Sequence, residues 1–266
     1  IMNLSFKKKI EPEIQFKAAK EILNSKIPFP VPMSKIIPEW YKKMPVGGED
    51  LSRKTPAYSK NGDLVLKPNI KSCVPILDYL TSGYTILTSQ DIAVEAKVIG
   101  DEPLVSFNWK EEPNMLPPFK GGIVGWTSPM GSHPRFQIKG SPLEKELIQD
   151  QIFKYNSPWK IHTPKGYSCL FLPIEYQECP FHALPAIVDT DEQHVVAYPF
   201  RFRGKEGAYT IPIGTPVVQV IPFKRENWTS KVTEWTEDEH WAFRINNWAY
   251  IYRMYKKLFH KRKVFR

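Results

Sequence analysis

Hydrophobic positions follow two different periodicities along this chain of 266 residues. Between residues 73 and 223, short runs of β-branched and aromatic residues are bounded by Gly, Pro, Asn and Asp, which is typical of strands joined by turns. Over residues 236–255, by contrast, apolar residues recur at spacings of three and four. They are Trp241, Ile245, Trp248, Tyr252 and Tyr255. The pattern predicts a mainly β protein with a C-terminal amphipathic helix.

Ten strands are predicted in the central region, each bounded by residues that favour turns. They are residues 84–87, 92–98, 105–109, 136–138, 159–162, 168–172, 186–188, 194–202, 209–211 and 217–223. Residues 111–158 are predicted to be a loop or an insertion, because prolines and paired glycines crowd its first half.

Residues 1–72 are predicted to form a basic, proline-rich N-terminal arm. Proline at every second position from Pro28 to Pro32 removes backbone donors and favours an extended path. The aromatic pair Trp40 and Tyr41 follows and could anchor the arm in a groove of the same chain or of a neighbour. The β-rich core would then occupy residues 73–223.

Residues 224–266 are predicted to carry the terminal helix. Thr236 is the predicted N-cap, followed by three acidic residues in the first turn. Trp241, Trp248 and Tyr252 are candidates to bind a partner, whereas burial of the same face against the chain's own core is the alternative.

Charge is distributed unevenly along the chain, whose formal net charge is +9. Residues 1–72 hold 14 basic and 7 acidic residues, residues 73–223 hold 12 and 16, and residues 224–266 hold 11 and 5. Basic ends around an acidic centre suit contact with nucleic acid or with an acidic surface of a partner. They also suit solubility.

Several classes of site are disfavoured by the sequence. The three cysteines, at positions 73, 169 and 179, are too widely spaced for a zinc or redox pair, so buried thiols are expected. His182, Asp189 and His194 lack the spacing of an iron triad, and no metal site is predicted. Glycine-rich phosphate loops and a Gly-x-Ser-x-Gly elbow are absent. Without a membrane-spanning run or a signal peptide, no membrane contact and no secretion are expected.

Acidic residues cluster at the end of one predicted strand. Asp189, Asp191, Glu192 and His194 follow the apolar residues 186–188. Carboxylates in this position can activate water or hold a divalent cation. A solvated hairpin tip is the alternative.

Four segments resemble, in the same order, motifs of the trimeric dUTPases of the β-clip fold. They are residues 78–87 with Asp91, residues 159–168, residues 187–191 and residues 211–221. The resemblance implies a β-clip, dUTPase-like barrel, a trimer and a magnesium-dependent nucleotide hydrolase. It implies that Asp189 activates water and that Gly83, Tyr84, Asp191 and Gln219 bind substrate.

Departures from the dUTPase pattern bear on activity. Residues 170–175 replace the loop that would supply Arg and Ser to the phosphates, and they include the acidic Glu175. Glu192 replaces the tyrosine that would stack on uracil, and no glycine-rich tail follows Trp228. Asp189 without a positioned substrate would contribute little to the rate, because orientation and charge stabilisation supply most of it.

Five segments, several of them overlapping those above, resemble conserved proteins of tailed phages, a group that brings no established activity. They are residues 37–40, Pro75 with residues 81–84, residues 163–168, residues 188–191 and residues 219–225. The resemblance implies a viral origin. We therefore expect a non-catalytic virion structural component of capsid or tail, found in the virion or the host cytoplasm. Its expected partners are further copies of itself and other virion proteins, and no cofactor is expected.

Two alternatives remain open from the sequence. One is a dUTPase-like protein that binds or hydrolyses nucleotides with magnesium. The other is a regulator that binds nucleic acid or a host protein through its basic ends. The first predicts basic residues around Asp189 in a cleft, and the second predicts an affinity that falls steeply with salt.

Overall fold

The computed structural model describes residues 11–45, 69–99, 102–110, 128–248 and 259–266. The chain forms two compact units. The first contains Ile1–Val31 and Tyr84–Arg225, and the second contains Pro32–Gly83 and Glu226–Arg266. The boundaries near residues 31, 83 and 225 differ from those expected for a separate arm, core and terminal helix.

Short strands make up most of the regular structure. They are β1 Gln15–Lys17, β2 Val31–Pro32, β3 Tyr84–Leu87, β4 Ile92–Ile99, β5 Glu102–Asn108, β6 Met130–Pro134, β7 Gln151–Asn156, β8 Lys160–His162, β9 Tyr167–Leu172, β10 Phe181–Ala183, β11 Ala186–Val188, β12 Ala197–Phe202, β13 Gly207–Ile211 and β14 Pro216–Lys224. The mainly β prediction is confirmed.

The strands form four sheets. Their orders are β11-β9-β14-β3-β2, β10-β12-β7-β6, β13-β4-β5 and β1-β8. Pairing across β11-β9-β14-β3 and throughout the other three sheets is antiparallel. Among the described residues each sheet stays open and none closes into a barrel. The β-clip fold therefore remains a prediction.

Strand β14 is the centre of the five-stranded sheet. It pairs with β9 on one side and β3 on the other. Val217, Val218 and Val220 have no exposed surface. Burial at successive positions is typical of a strand that is covered on both faces, and burial of each valine contributes roughly 1.5–3 kcal/mol.

Aromatic side chains from the other sheets complete the core of the first unit. Phe107 of β5 lies edge-on to Phe153 of β7, with ring centroids 4.9 Å apart. Phe181 of β10 and Phe200 of β12 form a second edge-on pair at 4.9 Å. Pairs of this geometry add roughly 0.5–1.5 kcal/mol beyond the area that they bury.

Four α-helices are described. They are α1 Lys20–Leu23, α2 Glu39–Lys43, α3 Val74–Thr81 and α4 Glu237–Trp248. The start of α4 agrees with the sequence, because the Glu239 amide donates to the Thr236 hydroxyl oxygen at 3.3 Å and the Thr236 amide donates to the Glu239 carboxylate at 3.0 Å. No helix among the described residues is long and apolar enough to cross a bilayer.

Three parts of the sequence-based assignment differ from the structure. The predicted strand 136–138 is wrong: Arg135–Gln137 is a 3-10 turn whose Phe136 is 75% exposed, so no sheet covers it. Strands β6 and β7 lie inside the stretch predicted as a loop or an insertion. Helix α3 lies inside the region predicted to be β-rich, at residues for which no helix was predicted.

The predicted N-terminal arm buries part of its own length. Ile27, Met33 and Tyr41 are each 3% exposed, although the segment around them is rich in proline. These three side chains are therefore buried by other residues of the same chain.

Candidate functional site

The acidic cluster predicted from the sequence forms a tight turn after β11. The carbonyl oxygen of Asp189 accepts the amide N–H groups of Glu192 at 3.0 Å and Gln193 at 2.8 Å. These bonds fold the chain back on itself directly after Ala186–Val188. Both aspartates of the turn lie near the end of β14, because the neighbouring strand β9 pairs with both β11 and β14.

Arg225, the residue after β14, binds Asp191. Its Nη1 donates to Oδ1 at 2.8 Å and its Nη2 donates to Oδ2 at 2.5 Å. The Gly166 amide adds a third bond at 2.8 Å, and the Asp191 side chain is only 3% exposed. The Arg225 guanidinium, together with the Gly166 amide, holds the pKa of Asp191 well below its usual range.

Asp189 belongs to the same network but faces solvent. Its Oδ1 accepts the Ser168 hydroxyl at 2.7 Å and lies 3.2 Å from Nη1 of Arg225. The Asp189 side chain is 60% exposed. We call Ser168, Asp189, Asp191 and Arg225 the Arg225 cluster.

The Arg225 cluster also ties together two strand ends. Nη1 of Arg225 donates to the Tyr167 carbonyl at 3.1 Å and to the Ser168 hydroxyl oxygen at 3.0 Å. The Arg225 amide donates to the Gly166 carbonyl at 2.8 Å. One side chain thus connects the start of β9, the acidic turn and the end of β14, which is the arrangement of a structural clamp.

The cluster is poorly suited to binding an anionic substrate. Its guanidinium is already paired with Asp191 and lies beside Asp189, so two carboxylates stand against one cation. A triphosphate would need several uncommitted donors in the same place. Within the described part of the chain, no group of His, Cys, Asp and Glu is arranged to hold a metal ion.

The histidines near this region have other neighbours. His194 stacks on His162 with ring centroids 3.6 Å apart, and its Nδ1 lies 3.1 Å from the Thr190 carbonyl oxygen. His182 lies 3.7 Å from the Glu175 carboxylate. None of these contacts involves Asp189.

The predicted substrate-binding residues are not brought together. Gln219 is fully buried in the middle of β14, opposite Thr85 and Leu172, whereas the Arg225 cluster lies opposite the end of that strand. Ser168 of the Arg225 cluster pairs with Phe223. Phe223 lies four residues along β14 from Gln219, a distance of roughly 13 Å in a strand. Gln219 and Asp189 are therefore not neighbours in the sheet, and their shared substrate site stays a prediction.

Two further residues of the predicted substrate site have structural surroundings. Tyr84 is half-buried and lies edge-on to Phe16, with centroids 5.4 Å apart. Gly83 has a φ of 72°, which favours glycine, and its carbonyl accepts the Met33 amide at 3.0 Å. The contacts given for Tyr84, Gly83 and Asp191 are all with other residues of the chain, and they give no indication of a substrate site.

The predicted partner-binding aromatics fall into two groups. Tyr41 is buried within the chain, with the Lys71 ammonium 4.6 Å from its ring centroid, and its contact with a partner stays a prediction. Trp40 and Trp241 are 39% and 58% exposed and remain candidates. The side chain of Trp248 and all of Tyr252 lie outside the part of the structure that is described.

Residues 226–242, which we call the Trp segment, are the most exposed part of the described chain. Every residue from 226 to 242 is exposed, and residues 226–236 form neither helix nor strand. Trp228 is 85% exposed, Val232 99%, Trp235 55% and Trp241 58%. Sequence reasoning missed Trp228 and Trp235, although tryptophans isolated among Thr, Ser, Lys and Glu could have indicated such a segment.

No protein-family model, curated protein or solved structure matches this chain. The predicted relationships to dUTPases and to tailed-phage proteins therefore remain predictions. Function has to be argued from the geometry of the Arg225 cluster and of the Trp segment.

Proposed function

We propose that this protein is non-catalytic and acts through assembly with further copies of itself, with the Trp segment as its contact element. The supporting observation is the exposure of Trp228, Val232 and Trp235 in a stretch of chain that forms neither helix nor strand. Large apolar side chains grouped in this way mark interaction surfaces, and tryptophan is enriched among the residues that dominate binding energy.

Charge favours a second copy as the occupant. Residues 243–266, which follow the Trp segment, hold eight basic and no acidic residues, whereas residues 73–223 hold 12 basic and 16 acidic ones. The Trp segment itself holds Lys231 and five acidic residues, so the attraction comes from the residues after it. The C-terminal part of one copy is therefore attracted to the central part of another. Contact between these two surfaces joins different patches of identical chains, which is the basis of rings and open arrays.

The Arg225 cluster supports this function because it determines where the Trp segment begins. Arg225 is bonded through both its backbone and its side chain to residues 166–168 at the start of β9. The chain is thus held at residue 225, immediately before the first residue of the Trp segment. A fixed starting point lowers the entropy cost of docking the residues that follow.

A place in a virion is the finer part of the proposal. It is supported by the resemblance of residues 37–40, 163–168 and 219–225 to conserved proteins of tailed phages. Capsid or tail proteins act by repeated contacts between copies, which is what an exposed aromatic segment provides. Trimeric association and the β-clip fold, both implied by the dUTPase resemblance, belong to this finer part as well.

The decisive experiment measures molar mass by light scattering as the concentration of the full chain is raised. We expect the mass to increase toward a multiple of 30.9 kDa. The double variant Trp228→Ala, Trp235→Ala should stay close to the mass of one chain. Phe136→Ala is the matched control, because the exposure of Phe136, 75%, lies between those of Trp228 and Trp235 and the residue is outside the Trp segment.

Two results would overturn the proposal. One is a wild-type protein that remains a single chain at its highest soluble concentration. The other is an assembly that the double variant forms as readily as the wild type. If Phe136→Ala lost assembly while the double tryptophan variant kept it, the contact would be assigned to the surface around Phe136. That result would also contradict the role of the Trp segment.

A dUTPase-like hydrolase acting through Asp189 is the weaker candidate. The exposed Asp189 carboxylate supports this function. Arg225 is paired with Asp191, however, and so is not available to bind the phosphates of a nucleotide. Release of pyrophosphate from dUTP with magnesium, abolished by Asp189→Asn, would establish this function and exclude the non-catalytic one. We expect no release from either protein.

A further inference from the structure

A cavity in the first unit plays no part in the proposed assembly. Its volume is about 870 Å³, toward the upper end of the roughly 300–1,000 Å³ of typical ligand sites. Its walls come from residues 25–27, 89–91, 93, 108–110, 210 and 213. None of these residues belongs to the Arg225 cluster or to the Trp segment.

Two walls of the cavity are held by hydrogen bonds from their serines. The Ser25 hydroxyl donates to the Ile22 carbonyl at 2.7 Å and accepts the Ile27 amide at 3.1 Å. On the second wall, the buried Tyr155 hydroxyl accepts the Ser89 amide at 2.8 Å and donates to the Ser89 hydroxyl oxygen at 3.0 Å. Both turns are therefore rigid before any ligand arrives.

A third wall is held through Asp91 and Thr88. The Asp91 carboxylate accepts the Ile213 amide at 2.7 Å. The Thr88 hydroxyl donates to the Pro212 carbonyl at 2.8 Å and accepts the Thr215 amide at 2.9 Å. Because the loops are already ordered, a ligand would lose little binding free energy to ordering them.

The polar groups that line the cavity both donate and accept hydrogen bonds. Ser89, Gln90, Asn108 and Thr210 each carry a hydroxyl or an amide, and Asp91 adds a carboxylate. Sugar hydroxyls are also donors and acceptors at once, so such a lining matches them. Phosphate oxygens only accept, so a phosphate would leave the amide and hydroxyl acceptors of the lining without a donor.

An indole and two ammonium groups complete the lining. Trp109 is half-buried and packs against the hydrophobic core, so its ring is held in place at the cavity wall. An immobile aromatic ring can cover the apolar C–H face of a pyranose. Lys26 and Lys110 exceed Asp91 by one charge, which favours a sugar that carries a carboxylate.

We propose that this cavity binds a saccharide, with a preference for acidic sugars. Trp109 supplies the stacking surface, Gln90 and Asn108 bind ring hydroxyls, and Lys110 attracts the sugar carboxylate. This site is independent of the assembly proposed above, because the two share no residue.

The test is saturation-transfer NMR and calorimetry on the full chain with lactose, cellobiose, N,N′-diacetylchitobiose, 3′-sialyllactose and, as the nucleotide probe, dTMP. We expect binding of 3′-sialyllactose that exceeds binding of lactose. Gln90→Ala and Asn108→Ala should each weaken it by about tenfold, and Lys110→Ala should remove the preference over lactose. Trp109→Ala should abolish the signal.

Controls separate this proposal from folding and from assembly. Trp40→Ala, a tryptophan outside the cavity, should leave the affinity unchanged. So should Trp228→Ala with Trp235→Ala, whether or not that variant assembles. Because Trp109 contributes to the core, the thermal midpoint of its variant is compared with wild type, and the Gln90 and Asn108 variants provide the test if that variant unfolds.

Three outcomes would overturn the saccharide site. They are the absence of binding by all four sugars, an affinity that the Gln90 and Asn108 variants leave unchanged, and binding of dTMP in preference to every sugar. The last outcome would assign the cavity to nucleotides.

Discussion

Arg225 lies 34 residues from Asp191 along the chain, and the bond between them determines what the acidic turn can do. The sequence correctly indicated a turn rich in carboxylates after the strand Ala186–Val188. The sequence could not show that Arg225 neutralises these carboxylates, because only the register of β9 against β14 brings residue 225 beside residues 166–168. A group of acids that suggests catalysis in sequence thus becomes a structural ion pair in the fold.

The Asp191 pair makes a specific contribution to acid sensitivity. The folded state lowers the pKa of the Asp191 carboxyl from 3.8. The ion pair therefore stabilises the fold fully above about pH 4, and this contribution is lost as the pH falls toward the folded-state pKa. Asp191→Asn should lower the urea midpoint at pH 7, and its difference from wild type should shrink as the pH is lowered below 4.

Asp150→Asn is the control for this measurement, because Asp150 pairs with Arg135 at the surface and is 74% exposed. It should follow the wild-type pH profile with a small constant offset. A difference between Asp191→Asn and wild type that stays constant between pH 7 and about pH 3 would contradict the assignment.

At the scale of elements, sequence patterns located strands well where local signals were strong. The predicted strands 84–87 and 186–188 match β3 and β11 exactly in extent. Strand β6 was missed because Met130–Pro134 contains Gly, His and Pro and becomes a strand only by pairing with β7. Helix α3 was missed because Pro75 resembles a strand boundary, whereas it occupies the first turn of the helix.

The cap of α4 offers a test at this scale. Thr236→Ala removes a hydroxyl that accepts the Glu239 amide, which costs about 1 kcal/mol of helix stability. We expect lower ellipticity at 222 nm and earlier thermal loss of helix signal. Thr236→Ser keeps the hydroxyl and should behave like wild type, and equal helix loss in both variants would contradict the role of the cap.

At the scale of the whole molecule, charge separates along the chain in a way that bears on assembly. The basic ends and the acidic centre attract each other between copies, and this attraction is screened by salt. The apolar contact of the Trp segment, in contrast, does not weaken as ions are added. Assembly should therefore combine a salt-sensitive contribution with a salt-resistant one.

Raising NaCl from about 0.1 M to about 1 M shortens the Debye length from about 10 Å to about 3 Å. We expect the concentration at which copies associate to rise several-fold, measured by sedimentation equilibrium, while association persists. An unchanged or lower association concentration at high salt would contradict the contribution of charge, and complete dissociation would contradict the contribution of the tryptophans.

The position of β14 in the chain also orders events during synthesis. β14 is the last strand described, yet it lies between β3 and β9 in the sheet. During synthesis, β3 and β9 cannot pair with β14 until residues 216–224 have left the ribosome. The Trp segment follows them, so a nascent chain exposes its aromatics only after the sheet can close. A polypeptide that stops before residue 216 would instead present two unpaired strand edges and be prone to aggregate.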